Sequence, residues 1–260
     1  MALIVKHLDS GVVVATLSDE AARNAFDRNS MQAISGTLNE LMDDSEVRSV
    51  ILTGSGKFFC AGADIREFDK SVKNGTIGDL VGDLTGILHP LQIRMRGDST
   101  VFIAAINGAA AGGGLGLALA CDARIAVPES RLSAAFFRLG LSPDGGTTWL
   151  LPRLVGTQTT KRFFFNDETW NGETALLKGA VDEVVHLDEL IPRSIEMATD
   201  WGRWAEMSRR STKQLLDAQS STFFETQLEF ERALITAASM TEDFATGVSA
   251  FLEKKEPEFE

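Results

Sequence analysis

The 260-residue chain contains no tyrosine, three histidines (His7, His89 and His186) and two cysteines (Cys60 and Cys121). Without tyrosine, no phenol can act as acid, base or hydrogen-bond donor. So few histidines and cysteines cannot build a multi-cysteine zinc site, an HExxH metallopeptidase helix or a disulfide framework, and no metal or redox cofactor is expected. No apolar run approaches the roughly 18 residues of a spanning helix, and the N-terminus MALIVKHLDS lacks a basic segment followed by a long apolar core. The expected setting is therefore soluble and reducing, the cytoplasm. Basic charge is also scarce: 25 Lys and Arg against 37 Asp and Glu give a net charge of −12, which argues against nucleic acid or an anionic membrane as partner. Chemistry is left to carboxylates, backbone N–H groups and one histidine.

The rest of the composition, 44% hydrophobic and 24% charged, is that of a globular protein with a real core. Ile4 to Leu8 and Val12 to Leu17 flank Asp9-Ser10-Gly11 and predict a hairpin. Met31, Ile34, Leu38, Leu41 and Met42, spaced three and four apart after Ser30, predict a helix over about 30–43. Val47 to Thr53 and Val101 to Ile106 predict strands, the second apolar throughout and so buried on both faces. Between them, 76–96 predicts a helix. Leu115 to Ala120 is expected to be helical and Ala123 to Val127 extended. This alternation defines an α/β class. From about 146 the pattern turns helical, with two long segments at 189–218 and 221–253. Residues 1–190 thus read as an α/β core and 191–260 as a C-terminal helical region.

Three segments are suited to chemistry. In Gly54-Ser-Gly-Lys-Phe-Phe-Cys-Ala-Gly-Ala-Asp64, the small residues Ala61, Gly62 and Ala63 let a ligand approach backbone N–H groups, or else form only a turn capped by Asp64. In Ile106-Asn-Gly-Ala-Ala-Ala-Gly-Gly-Gly-Leu-Gly-Leu117, a buried strand feeds a glycine tract and a helix, aiming free N–H groups at whatever lies above; alternatively the glycines serve only tight packing. The tract does not satisfy GxGxxG, which disfavours a dinucleotide site. In Leu139-Gly-Leu-Ser-Pro-Asp-Gly-Gly146, Asp144 either caps a helix or stands uncrowded as a base. Donors for an anion plus a base for a proton are what enolate chemistry needs. Cys60 and Cys121 lie among small residues with no basic neighbour, so no activated thiolate is expected.

These segments, in this order, resemble the enoyl-CoA hydratase/isomerase (crotonase) superfamily. Arg23-Asn-Ala-Phe26, Phe59-Cys-Ala-Gly-Ala-Asp-Ile65, Asn107-Gly through Gly112-Gly113-Gly114, Cys121-Asp122 and Leu151-Pro-Arg-Leu-Val-Gly156 are similar to its landmarks. The resemblance implies a spiral of repeated ββα units followed by a helical trimerisation region, in a homotrimer or hexamer that takes an acyl-CoA thioester. It implies that the N–H groups of Ala63 and Gly113 form an oxyanion hole, worth about 3 kcal/mol per donor. By the same resemblance Ala61, Asp64 and Ile65 line the adenine pocket, Arg23 and Ala25 touch pantetheine and phosphates, and Phe251 and Lys254 reach a neighbouring subunit's CoA.

The departures are equally informative. Hydratases of this family place two glutamates on the added water, and the matching positions here are Gly116 and Phe136. An ordinary hydratase is thereby disfavoured. Asp144 in Ser142-Pro-Asp-Gly-Gly146 is similar to the aspartate of epoxyphenylacetyl-CoA and related enoyl-CoA isomerases, which implies an acyl-CoA isomerase. An alternative is a hydrolytic aryl-CoA dehalogenase: His89 lies 24 residues before Gly113 and Asp144 lies 31 after it, a spacing that resembles 4-chlorobenzoyl-CoA dehalogenase. There the aspartate attacks the ring and the histidine activates water. Phe136, however, occupies the place of an indole donor and cannot donate. A non-catalytic acyl-CoA-binding protein is the third alternative.

Overall fold

The computed structural model describes residues 2–19, 21 and 23–259. Two sheets meet at the centre. The larger has six strands in the order β1 (Ala2–His7), β2 (Val12–Ser18), β3 (Ser49–Gly54), β5 (Val101–Ile106), β7 (Ala123–Ala126) and β10 (Glu183–Val184), all parallel except the β1–β2 hairpin. The smaller has four, in the order β4 (Phe58–Cys60), β6 (Ala109–Ala111), β8 (Arg131–Ser133) and β9 (Thr169–Trp170). Consecutive pairs β3–β4, β5–β6 and β7–β8 each leave one strand in the large sheet and one in the small sheet. A helix follows each: α2 (Ile65–Lys73), α4 (Gly113–Ala120) and α5 (Thr147–Val155). Every residue of β5 is buried, as expected for a central parallel strand.

Side chains tie the crossings together. Asn107, just past β5, accepts from the Gly54 N–H at 3.0 Å and donates to the Gly56 carbonyl at 3.0 Å, joining the ends of two ββ units. Asn24 is fully buried and donates to the carbonyls of Ser55 and Phe58 at 3.0 and 2.8 Å. A buried amide so satisfied fixes its loop, since leaving it unpaired would cost about 1–3 kcal/mol. The long helix α1 (Arg28–Asp43) begins earlier than periodicity predicts: Asp27, not Ser30, is the N-cap, and the two exchange backbone bonds at 2.7 and 2.9 Å in a capping box. The Ser30 N–H holds the Asp27 carboxyl below its usual range.

Helix α3 (Ile77–Gly97) buries Leu80, Leu84, Leu88, Leu91, Gln92 and Met95 and packs on α1. Beyond it lie α6 (Thr157–Phe165), α7 (Gly172–Lys178), α8 (Leu187–Gly202), α9 (Glu206–Ala218), α10 (Phe224–Ala238) and α11 (Glu242–Glu253). The two long helical segments expected at 189–218 and 221–253 are each broken. The first ends at Gly202, which lies so close to the large sheet that a β-carbon would meet Ser49 Oγ at 2.3 Å, and in the second Thr241 caps a new helix by accepting from the Phe244 N–H. Helix α8 crosses residue 190 and buries Leu190, Met197 and Ala198 against Ile51, Ile103 and Ile125 of the large sheet. In contrast α10 and α11 bury nothing fully and leave Phe224, Phe230, Phe244 and Phe251 exposed. Among the described residues no helix is long and apolar enough to cross a membrane, and no group of His, Cys, Asp or Glu could hold a metal ion.

Candidate active site

The small sheet and the turns that follow its strands form one wall of a cavity of about 810 Å³. Ala61, Ala63, Ala109, Ala111 and Gly113 supply that wall, and small side chains there keep the backbone within reach of a ligand. Phe68 from α2 and Leu84, Leu88 and His89 from α3 line it as well, with Phe26 and Phe136 adding aromatic surface.

Two residues of this wall carry backbone N–H groups that their own secondary structure does not use. Phe26 and Ala63 form a parallel bridge in which Phe26 N–H donates to the Gly62 carbonyl at 2.6 Å and Asp64 N–H donates to the Phe26 carbonyl at 2.8 Å. That pattern uses the groups either side of Ala63 and turns its own N–H to the opposite side. Gly113 is the first residue of α4, so its N–H has no intrahelical acceptor and sits at the positive end of the helix dipole. The two segments are pressed together: a β-carbon on Gly62, whose φ is +83°, would lie 2.7 Å from the Ala111 carbonyl and 3.2 Å from Gly113 N. Paired donors of this kind suit a developing oxyanion.

The carboxylate comes from the other side. Ser142, Pro143 and Asp144 line the cavity, and Asp144 Oδ1 lies 2.8 Å from His89 Nε2. With the carboxylate ionised, Nε2 carries the proton and donates, leaving Oδ2 for another partner. Both side chains remain partly exposed, at 47% for His89 and 37% for Asp144, as a group that meets a substrate must be. The Asp144 carbonyl accepts from Thr147 Oγ1 at 2.8 Å and from the Thr147 N–H at 3.3 Å, starting α5. Gly145 and Gly146 follow with φ of +60° and +72°, a left-handed pair that only glycine adopts without strain.

The expected site residues separate into groups. Asp144, His89, Ala63, Gly113, Ala61, Ile65 and Phe136 all line the cavity. Gly116 does not: it is buried beneath the Asp144 loop, where a β-carbon would meet the Gly145 carbonyl at 2.2 Å. Asp64 is occupied elsewhere, capping α2 and pairing with Arg66 at 2.8 Å, a contact that holds its carboxyl below the usual range. Ala25 is buried under the same loop that presents Arg23, whose guanidinium lies 5.7 Å from the centre of the Phe58 ring. Phe251 is on α11 and Lys254 caps its C-terminus, and Phe251 lines a separate groove of about 340 Å³ with Ala205, Met207 and Phe259. Burial pushes the thiols of Cys60 and Cys121 up to about 12, so neither is a nucleophile at neutral pH.

Sequence reasoning passed over Arg131, Arg138 and Asp167, which also line the cavity. Arg138 and Asp167 form an ion pair. Neither belongs to a motif; the antiparallel pairing of β9 with β8 and the packing of Phe137 on Phe164 and Phe165 bring their segments together.

The family described as enoyl-CoA hydratase/isomerase matches residues 7–260. The chain is 32% identical over 260 residues to 1,2-epoxyphenylacetyl-CoA isomerase of Escherichia coli K12, covering 100% of this chain and 98% of that one. It is 34% identical over 257 residues to a probable enoyl-CoA hydratase of Bacillus subtilis 168, covering 97% and 96%. The crystal structure of an enoyl-CoA hydratase from Polaromonas sp. JS666 superimposes with a TM-score of 0.92 at 28% identity, over the whole of both chains.

Proposed function

Because the chain belongs to the enoyl-CoA hydratase/isomerase family, we propose that it is an acyl-CoA isomerase that shifts a double bond, or rearranges an epoxide or enoyl group, of a CoA thioester. The thioester carbonyl lies between the N–H groups of Ala63 and Gly113. Asp144 takes a proton from the α- or γ-carbon, the electron pair moves onto the carbonyl oxygen as an enolate, and the same carboxyl, exposed enough to exchange its proton with solvent, returns a proton to the other carbon. No atom is gained or lost.

One observation carries this reading: the seat that a hydratase glutamate would need is filled. Gly116 lies under the Gly145 carbonyl with no room for a β-carbon, and Phe136 brings a ring to the cavity, not a carboxylate. Asp167 is the other carboxylate on the cavity wall, and Arg138 neutralises it. Asp144 is left as the carboxylate that can move a proton, with His89 as its hydrogen-bond partner. Replacing it with asparagine keeps the shape and removes the base. Turnover of Asp144→Asn should fall by about 10²–10⁴-fold, while calorimetry still finds acyl-CoA binding of wild-type strength. Undiminished turnover would end the proposal.

The 2.8 Å contact between His89 and Asp144 favours a second reading, hydrolytic aryl-CoA dehalogenation. In it an Asp144 oxygen bonds to the halogen-bearing ring carbon, halide leaves with its electron pair, and His89 takes a proton from the water that cleaves the resulting ester. In the isomerase reading His89 only orients Asp144.

The CoA phosphates meet Arg23, and Phe251 and Lys254 of one copy reach the CoA of another. The exposed aromatic residues of α10 and α11 support such an assembly, as a trimer or a dimer of trimers. Light scattering should give at least three times 28.2 kDa; a monomer at micromolar concentration contradicts it.

A further inference from the structure

We infer that Gln92 is the positioning residue that holds the Asp144 loop in its working place, an inference that rests on the reading of Asp144 as the proton-transferring group. Gln92 lies on α3 three residues after His89, so the two side chains leave adjacent turns of one face. Its side chain is buried, with 6% of the residue exposed, and Nε2 donates to the carbonyl of Gly145 at 3.0 Å. It does not line the cavity and therefore touches no substrate.

The need for such a clamp follows from the loop itself. Gly145 and Gly146 have positive φ and no side chains to pack, so the segment has little stiffness of its own. From below, Gly116 admits the Gly145 carbonyl into a space that any β-carbon would close. From α3, Gln92 binds that carbonyl and His89 binds the Asp144 carboxylate one residue earlier. The same helix thereby fixes both the backbone and the charged end of the base, and Thr147 adds a local bond to the Asp144 carbonyl. Without the Gln92 donor, a buried carbonyl loses its partner and the loop is free to lift away from α4. A displacement of about 1 Å of a reacting group can cost 10²-fold in rate.

The test uses the full-length enzyme and an enoyl-CoA ester that it turns over. Gln92→Met keeps the length and removes the donor; kcat should fall about 10- to 100-fold with KM within about threefold. In an Asp144→Asn background the same change should cost nothing more, because there is no longer a base to misplace. Gln92→Glu provides a second reading if Gln92→Met does not fold. Protonated, the glutamic acid donates to Gly145 as the amide does; ionised, it cannot. The ratio of its kcat to that of wild type should therefore rise as pH falls. His89 and Asp144 in the site, Arg96 on α3 and Lys213 and Asp217 on α9 are common to both proteins, so the ratio isolates residue 92. Wild-type kcat in Gln92→Met, an equal loss of kcat/KM carried by KM alone, or a flat Gln92→Glu ratio overturns the inference. If Asp144→Asn itself keeps full turnover, it is the functional reading that has failed.

Discussion

The two halves of the candidate active site are built in opposite ways. The donor half is backbone: Ala63 and Gly113 present N–H groups from segments that pack so tightly that the Gly62 position has no space for a side chain. The carboxylate half is a side chain on a glycine-rich loop, held by His89, Gln92 and Thr147. The first half is rigid because the core makes it so, and on the proposed reading it would serve any thioester. The second depends on a few hydrogen bonds and on that reading would decide which reaction follows. On the proposed reading, a fold that keeps its oxyanion donors in the sheet–helix turns, and its acid–base groups on the loops opposite, can change chemistry without disturbing its core.

Three substitutions strain this contrast, each at a different level. Gly113→Pro attacks the rigid half. Proline is tolerated at the first position of a helix, and a β-carbon there meets Leu88 and Phe26 only at ordinary contact distances of 3.5 and 3.6 Å. The variant should fold, lose one donor, and show turnover reduced at least about 100-fold; a far-UV spectrum like that of wild type with unchanged turnover would remove Gly113 from the oxyanion site.

Gly116→Glu tests the seam between the halves. It restores the residue type that the family's hydratases carry, yet the Gly145 carbonyl already occupies the space, so overpacking should cost about 1–3 kcal/mol of stability. Thermal melting and a hydration assay on an enoyl-CoA would show a lower melting temperature, no gained hydration and isomerisation reduced at least about 10-fold. A stable variant that hydrates would mean that the loop is not pinned to α4.

His89→Gln is the mildest. The glutamine amide can still donate to Asp144, so isomerisation should change by less than about 10-fold. Hydrolysis of a haloaryl-CoA needs a base there and should fall by at least about 100-fold, which chloride release would detect.

The donor half was also the more legible in the sequence. The glycine tract after a wholly apolar strand points to exposed N–H groups before a helix, and Gly113 begins that helix. The ββα order expected from the resemblance is the order observed, and the chain has the fold of its crotonase-family neighbours. The carboxylate half was legible in its residues but not in its geometry. Asp144 stands out in Ser-Pro-Asp-Gly-Gly, yet its bond to His89 spans 55 residues and its clamp by Gln92 spans 53. No local pattern encodes such contacts, because they depend on how α3 lies over α4. Gly116 shows the same limit: its sequence signal is the absence of a glutamate, and only packing reveals that the absence makes room for a carbonyl. The broken helices at 203–205 and 239–241 were hidden for a related reason, since helical periodicity persists across both breaks and the close approach of Gly202 to Ser49 is a contact between distant segments.

The most direct test of the whole account is proton exchange. Wild-type enzyme and Asp144→Asn, each incubated in deuterated water with a panel of aliphatic and aryl-acetyl CoA esters, are read by mass spectrometry. The account predicts deuterium at the α- or γ-carbon with wild type, accompanied by isomerised product of otherwise unchanged mass, and none with Asp144→Asn. Deuterium incorporation that survives in Asp144→Asn, or wild-type products that have gained water or lost halide with no exchange, would contradict it.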